Sequence, residues 1–187
     1  GKFNDEKTVL IQVEKMLNEG ADIIDIGGMS SRPNAEIISE VEELNRVLPI
    51  TRTIHKHFPN AVLSIDTFRS EVAKQTIEEG VSIINDISAG TEDERIFDIA
   101  AQFNCPIILM HRKGNAQTMQ QQTNYENILV EMVDYFIDKV NLARQKNVKD
   151  IVLDVGFGFS KTLEQNYFLL NNLAIFKQLD LPILAGL

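Results

Sequence analysis

Short apolar runs alternate along the chain with longer stretches that have helical periodicity. The runs are rich in isoleucine, leucine and valine and hydrophobic almost throughout, which is typical of parallel strands covered on both faces. Each run is followed by a polar or glycine-rich turn. The pattern predicts six strands, at residues 21–28, 61–67, 82–86, 105–111, 150–156 and 181–186.

The stretches between the strands predict amphipathic helices with recognisable ends. Gly20 and Gly80 follow two apolar stripes directly, where a glycine commonly ends a helix. Pro49 lies inside the second helical stretch and predicts a kink or a restart there. The last stretch is predicted to form one helix with its apolar stripe at 169–176. Two further helix starts are predicted from capping-box spacing, Ser39 with Glu42 and Thr91 with Glu94.

Strict alternation of strands and helices leaves two main architectures, a closed (β/α)₈ barrel and an open doubly wound sheet. An open sheet concentrates ligand groups at its switch point, whereas a barrel gathers them from all of its carboxyl-terminal strand ends. Nearly every predicted strand here ends in a polar or glycine-rich turn. We therefore predict a single α/β domain over 1–187, a (β/α)₈ barrel with roughly six of its eight strands present. The first strand and the last βα units are predicted to be missing.

Composition and charge narrow the function classes. The 187 residues carry a net charge of −9, which argues against general nucleic-acid binding because neutralising phosphates requires a basic face. The sequence shows no apolar run of the roughly 18 to 20 residues that a membrane helix needs. Cys105 is the single cysteine and lies in an apolar run, so a packing role in a reducing, cytoplasmic setting is expected. The spacing of the three histidines argues against a zinc site.

Three strand ends carry the candidate chemistry. Asp66, Asn85 and Asp154 each follow an apolar strand, where an unpaired polar group is costly. One such residue alone could simply cap a helix or fix a turn. Three at equivalent ends indicate a shared ligand with both donors and acceptors, and they suit the edge of a cyclic, guanidine-like heterocycle.

Two loops add candidate ligand contacts. The segment "GGMSSRPNAE", residues 27–36, presents hydroxyl groups and Arg32, and could be either a solvated loop or an anion-binding one. The segment "GFGFSKT" matches neither nucleotide motif. A dinucleotide fingerprint requires a third glycine where Lys161 stands, and a P-loop requires a glycine where Ser160 stands. Its glycines are better explained by backbone approach to a flat ligand, with Phe157 or Phe159 packing on it.

The order of these motifs resembles the dihydropteroate synthase family. "DIGGMSSRP" is similar to the family's Asp-x-Gly-Gly-x-Ser-Thr-Arg-Pro loop, and five further motifs follow in the family's order and spacing, "SIDTFRSEVA", "IINDIS", "LMH", "LDVGFGFSKT" and "LPILAG". The resemblance implies a (β/α)₈ barrel that joins 6-hydroxymethyl-7,8-dihydropterin diphosphate to p-aminobenzoate and releases pyrophosphate. It also implies a cytoplasmic enzyme that is a sulfonamide target and commonly a homodimer.

The resemblance also assigns residues. It implies that Arg32, Asp66 and Asp154 act in catalysis, and that Mg²⁺ is the cofactor, bound through an asparagine expected in a missing amino-terminal segment. No metal ligand is predicted within the chain itself. The substrate contacts that the resemblance implies are Ser31, Arg32, Pro33, Asp66, Asn85, Ile87, Met110, Asp154, Gly158, Phe159, Lys161 and Gly186.

Two other functions remain open from the sequence. A corrinoid methyltransferase that uses methyltetrahydrofolate has a related pterin-binding barrel, but it is not expected to need an anion-binding loop such as residues 30–33. A non-catalytic pterin-binding module of a larger folate protein is the second alternative. Its site would be expected to have decayed, whereas Asp66, Asn85 and Asp154 are all present.

Overall fold

The computed structural model describes residues 6–30, 35–115 and 117–186. Six strands and six α-helices alternate along these residues. The strands are β1 Ile23–Gly27, β2 Val62–Asp66, β3 Ile83–Asp86, β4 Ile107–Met110, β5 Ile151–Asp154 and β6 Ile183–Leu184. The helices are α1 Glu6–Asn18, α2 Glu40–His57, α3 Ser70–Glu78, α4 Arg95–Phe103, α5 Ile128–Gln145 and α6 Leu163–Asn171, with 3₁₀ segments at Met119–Gln121 and Leu173–Leu179.

The six strands form one sheet whose spatial order is the order of the sequence, and all neighbours are parallel. A doubly wound sheet reverses its strand order at a switch point, and no reversal occurs among the described strands. Sequential parallel strands with intervening helices are the arrangement of a (β/α)₈ barrel. The predicted barrel class is thus confirmed, with six strands described.

The core lies between the sheet and its helices. Alternate strand residues such as Leu63, Ile65 and Ile84 are fully buried there, because successive strand side chains point to opposite faces. They pack in one cluster with helix residues such as Val72 and Phe97. The opposite sheet face carries Asp66, Asn85 and Asp154, so one face of these strands stabilises the fold and the other is available to a ligand.

Several predicted helix boundaries hold. Gly20 and Gly80 follow α1 and α3 with φ of 99° and 109°, a conformation that favours glycine. Ser39 precedes α2, and its hydroxyl accepts from the Glu42 backbone N–H at 3.2 Å.

His55 and His57 are exposed, and Cys105 is buried. Burial raises the pKa of the Cys105 thiol to about 11, consistent with a packing role.

Two helix predictions are wrong, and a third is wrong in one of its alternatives. Thr91 does not cap α4, because its hydroxyl donates to the Ser88 carbonyl and the helix begins only at Arg95. α2 runs through Pro49 without a restart, and a kink at Pro49 stays a prediction. The helix predicted around 169–176 divides into α6 and a 3₁₀ segment. Asn172 ends α6, because both its backbone N–H and its side-chain amide donate to the Phe168 carbonyl.

None of the helices in the described ranges is long and apolar enough to cross a membrane.

Candidate functional site

Asp66 and Asn85 are neighbours across the β2–β3 ladder. They occupy the same register position at the carboxyl ends of their strands, so their side chains project on the same face of the sheet. Gly27, at the end of β1, is the register partner of Asp66 on the other side. A Cβ at Gly27 would lie 3.4 Å from Asp66 Cβ, so the glycine leaves the space beside the carboxylate open.

Asp25 also belongs to this group, although it was not predicted from the sequence. Its carboxylate accepts hydrogen bonds from the hydroxyl of Ser64 and, at 3.2 Å, from the Asn85 side-chain amide. Burial raises its pKa, an effect that both hydrogen bonds oppose. The sequence does carry a sign of this role, because Asp25 lies between Ile24 and Ile26, both of which are buried. Successive strand side chains point to opposite faces, so Asp25 points to the ligand-facing side.

The pKa of Asp66 is raised to about 7. Burial is the main cause, and the negative charges of Asp25, Glu43 and Asp86 add to it. The guanidinium of Arg112 opposes the shift. A carboxyl group with this pKa is half-ionised near neutral pH, so a ligand that donates to the ionised form competes directly with a proton.

Asp154 lies further along the same face. Asn85 is the register partner of Ile108, which in turn is level with Val152, so Asp154 is two residues closer to the carboxyl edge of the sheet than Asn85. One carboxylate oxygen accepts from the Gly156 backbone N–H at 2.8 Å. Burial raises the pKa of Asp154, whereas that N–H and the charge of Lys161 lower it. The structure thus brings Asp66 and Asn85 side by side and sets Asp154 above them, two strands away.

The turn after Asp154 explains the glycines of "GFGFSKT". Gly156 has a φ of 66° and Gly158 a φ of 82°. A Cβ at Gly156 would lie 2.3 Å from the His111 carbonyl oxygen, so no other residue fits without moving the backbone. A Cβ at Gly158 would meet no described atom within 4 Å, and the residue is exposed, so its positive φ is its main constraint.

Lys161 holds this turn from beneath. Its side chain is 5% exposed, and its ammonium donates to the carbonyls of His111, Gly156 and Phe159 at 3.2, 3.0 and 2.8 Å. It also lies 3.1 Å from His111 Nδ1. Burial lowers the pKa of Lys161 to about 7, against the opposing effect of Asp154. Burial and the charge of Lys161 lower the pKa of His111 to about 2, which leaves a neutral ring that can accept.

The remaining predicted contacts fall into four groups. Ile87 and Met110 are buried at 8% and 2% exposure, Phe159 is half-buried, and Gly158 and Gly186 are exposed. Ser31, Arg32 and Pro33 lie outside the described residues. Their assignment as substrate contacts stays a prediction for all of them.

A small cavity of about 50 Å³ opens beside Ile87. Phe68 and Ile37 contribute to its apolar wall, and Arg112 and Asn115 are among its polar lining residues. Arg112 pairs with Glu92 at 2.9 Å, and its Nε atom is buried without a hydrogen-bond partner among the described residues. Arg112 was not predicted from the sequence, because its pairing with Glu92, 20 positions away, depends on how the strands are brought together.

No group of three or more His, Cys, Asp or Glu side chains in the described ranges is arranged to hold a metal ion.

Comparisons with known proteins agree with this geometry. A family model described as pterin binding enzyme matches residues 1–187. The chain is 46% identical over 188 residues to a dihydropteroate synthase of Synechocystis sp., a match that covers all of this chain and 65% of that protein.

Solved structures give the same result. The dihydropteroate synthase of Yersinia pestis, crystallised as a sulfonamide drug complex, matches with a TM-score of 0.96 and 34% identity over 100% of this chain and 68% of its own. The enzyme of Xanthomonas albilineans with 4-aminobenzoic acid matches with a TM-score of 0.89 and 32% identity, over 97% of this chain and 64% of its own. The chain spans about two thirds of the length of these relatives. On the match of the family model over its whole length, the chain belongs to the pterin-binding enzyme family.

Proposed function

We propose that the protein carrying this chain is a dihydropteroate synthase, which condenses 6-hydroxymethyl-7,8-dihydropterin diphosphate with p-aminobenzoate to give 7,8-dihydropteroate and pyrophosphate. The observation that carries the proposal is the polar face formed by Asp66, Asn85 and Asp154 at the carboxyl ends of parallel strands. Its support is the family match, together with 46% identity to a relative named for this activity.

The donor and acceptor pattern of this face suits a pterin. The pyrimidine edge of a pterin presents N–H and NH₂ groups that a carboxylate can accept in parallel, as it accepts from a guanidinium. Asn85 offers both a donor and an acceptor. Its amide is already oriented by Asp25, which leaves its carbonyl oxygen for a ligand donor.

The chemistry requires positioning more than proton removal. The arylamine of p-aminobenzoate is neutral near pH 7 and can attack once it is held in line. The bond from the pterin methylene carbon to the diphosphate oxygen breaks, and its electron pair leaves with pyrophosphate. A C–N bond then forms, and the amine releases a proton to solvent. Asp66 and Asp154 would favour the positive charge that develops on the pterin, which supports a dissociative, SN1-like course.

Other parts of the proposal come from the family resemblance alone. Arg32 is proposed to meet the diphosphate, since a guanidinium matches phosphate geometry. Mg²⁺ as cofactor and assembly as a homodimer are likewise proposals. No step above depends on the metal or on a second subunit.

The proposed function is tested by pyrophosphate release from the pterin diphosphate by the full-length gene product. We expect dihydropteroate to form only when p-aminobenzoate is present, in a one-to-one ratio with pyrophosphate. Pterin binding without either product would contradict the synthase and favour a binding module. Methyl transfer from methyltetrahydrofolate to a corrinoid protein would identify the methyltransferase instead.

Pterin affinity is expected to depend on pH through Asp66. With a pKa of about 7 in the free site, the carboxylate is available above that pH and protonated below it. The dissociation constant of 6-hydroxymethylpterin should therefore rise about tenfold per unit as pH falls below 7, and level off above it. Titration calorimetry between pH 5.5 and 8.5 measures this.

Asp66→Asn separates this effect from other groups that titrate nearby. The variant should bind weakly at every pH and lose the inflection near pH 7. An unchanged inflection in Asp66→Asn would assign the pH dependence to another group, with Lys161 as the next candidate because its pKa is also about 7.

A further inference from the structure

We propose that Glu43 and Arg69 form a positioning pair that fixes the turn after β2 against both ends of segment 29–37, and so sets the geometry in which the two substrates meet. This inference rests on the proposed function. Glu43 lies in the first turns of α2, and Arg69 immediately precedes α3. Neither residue was selected from the sequence.

Glu43 is a buried carboxylate that joins two elements. Its side chain is 1% exposed and pairs with the guanidinium of Arg69. Its second oxygen accepts from the Thr67 hydroxyl at 2.7 Å. Thr67 directly follows Asp66, and its backbone N–H donates to the Asn85 carbonyl at 3.1 Å. The carboxylate of Glu43 is therefore one hydrogen bond away from the backbone that carries two predicted pterin contacts.

Arg69 extends the connection to the far end of segment 29–37. Its second guanidinium nitrogen donates to the Ile38 carbonyl at 2.6 Å, and the guanidinium lies over the Phe68 ring, 5.0 Å from its centre. Phe68 and Ile37 both line the small cavity beside Ile87. Arg69 thus contacts one residue of that cavity wall, Phe68, and bonds the residue that follows another, Ile37.

The near end of segment 29–37 is fixed by α2, the helix that carries Glu43. Arg46 donates to the Gly28 carbonyl at 3.0 Å. A Cβ at Gly28 would lie 2.9 Å from Glu43 Cγ and 2.8 Å from a Val47 methyl, so the backbone of residue 28 rests directly on Glu43. The near end is therefore bonded to α2 directly. The far end is bonded to Arg69, which is paired with Glu43 of α2.

A role in stability alone does not account for this arrangement. A buried ion pair is often no more stabilising than a well-packed apolar pair of similar volume. It does impose a specific geometry, since each of its donors and acceptors must be satisfied. Here every partner lies at the carboxyl edge of the sheet, between Asp66 and the segment predicted to meet the diphosphate and p-aminobenzoate.

Matched single substitutions test the pair in the full-length gene product. Glu43→Gln keeps an acceptor for Thr67 but loses the charge that holds Arg69, and Arg69→Met removes the bonds to both Glu43 and Ile38. Both variants are expected to lower kcat/KM for p-aminobenzoate about 10- to 100-fold, the size of effect that a small misplacement of reacting groups produces. The double variant should lose no more than either single one, and Arg69→Lys should recover part of the loss.

The control is a second ion pair between the same helices. Arg52, on α2, pairs with Glu79, at the end of α3, at 2.6 Å, away from the carboxyl edge of the sheet. Arg52→Met and Glu79→Gln make the same chemical changes, and both should keep kcat/KM within about threefold of the parent.

Two readouts distinguish positioning from loss of folding. The dissociation constant of 6-hydroxymethylpterin at pH 8 should stay within about threefold in Glu43→Gln, because the strands that carry Asp66, Asn85 and Asp154 keep their ladders. The inflection of pterin binding should also move to lower pH, since Glu43 is one of the charges that face Asp66. Asp25, Asp86 and Arg112 are the other charged groups facing Asp66, and they are unchanged in this variant.

Each outcome decides the inference. An active parent with unchanged kcat/KM in Glu43→Gln would overturn the positioning pair alone. Equal losses of pterin affinity, p-aminobenzoate use and thermal stability would also overturn it, in favour of a general folding role. A parent that forms no dihydropteroate would overturn the proposed function and this inference together.

Discussion

Asp154→Asn is expected to lower kcat/KM for the pterin diphosphate about 10²- to 10³-fold, because two charge-assisted hydrogen bonds to the pterin edge are each worth about 1.5–3 kcal/mol. The variant replaces one acceptor with an NH₂ group that faces another donor. It also removes a negative charge that, in the proposed mechanism, favours the cationic pterin methylene. Steady-state rates with saturating p-aminobenzoate measure the loss.

The substitution should leave the local fold intact. The remaining side-chain oxygen can still accept from the Gly156 backbone N–H, which holds the turn. Asp150→Asn is the matched control, since Asp150 precedes β5 at the opposite edge of the sheet and is exposed. A kcat/KM in Asp154→Asn that equals the Asp150→Asn value would show that Asp154 does not contact the pterin.

The order of elements could be predicted because it depends on local pattern. The apolar runs at 61–67 and 150–156 contain β2 and β5 with only the ends trimmed, and a buried parallel strand leaves a clear hydrophobic signature. Polar side chains at the ends of such strands must contact polar partners or a ligand rather than the apolar core. Asp66, Asn85 and Asp154 could be predicted on this ground, and the ladders place all three on one face.

Residues that act through distant partners could not be predicted in the same way. Glu43 looks like one more charge in the acidic first turns of α2, yet it is buried against Thr67 and Arg69, 24 and 26 positions away. Asp25 meets Asn85 across 60 positions. Their roles follow from how the strands are brought together, which a local pattern does not encode.

Helix capping could also not be predicted reliably from the local sequence. Thr91 and Glu94 have the spacing of a capping box, but the Thr91 hydroxyl donates to Ser88 instead. The box that does form joins Thr162 and Gln165, with reciprocal bonds of 2.8 and 3.2 Å. It begins α6 directly after Lys161 and so fixes the downstream end of the turn that carries the glycines.

Lys161→Met is expected to lower the free energy of unfolding by about 2–4 kcal/mol, because each buried carbonyl left without a donor costs about 1–3 kcal/mol. The carbonyls of His111 and Phe159 lose their donor in this variant, as does His111 Nδ1. The Gly156 carbonyl still accepts from the Phe159 backbone N–H. The removal of a buried amine offsets part of that cost. Urea-induced unfolding of the full-length gene product measures the difference, with Lys177→Met, at an exposed position, as the control.

The pH dependence of that loss identifies its cause. Because burial lowers the pKa of Lys161 from 10.5 to about 7, the unfolded chain binds more protons than the folded one between these values. The contribution of Lys161 to stability therefore rises with pH across this range. The stability difference between the parent and Lys161→Met should be larger at pH 9 than at pH 6. A difference that is the same at both pH values would mean that the amine is not buried in this cage of carbonyls. A negligible difference would mean that the other hydrogen bonds of the turn, such as those from Gly156 to Asp154 and between Thr162 and Gln165, hold it without the amine.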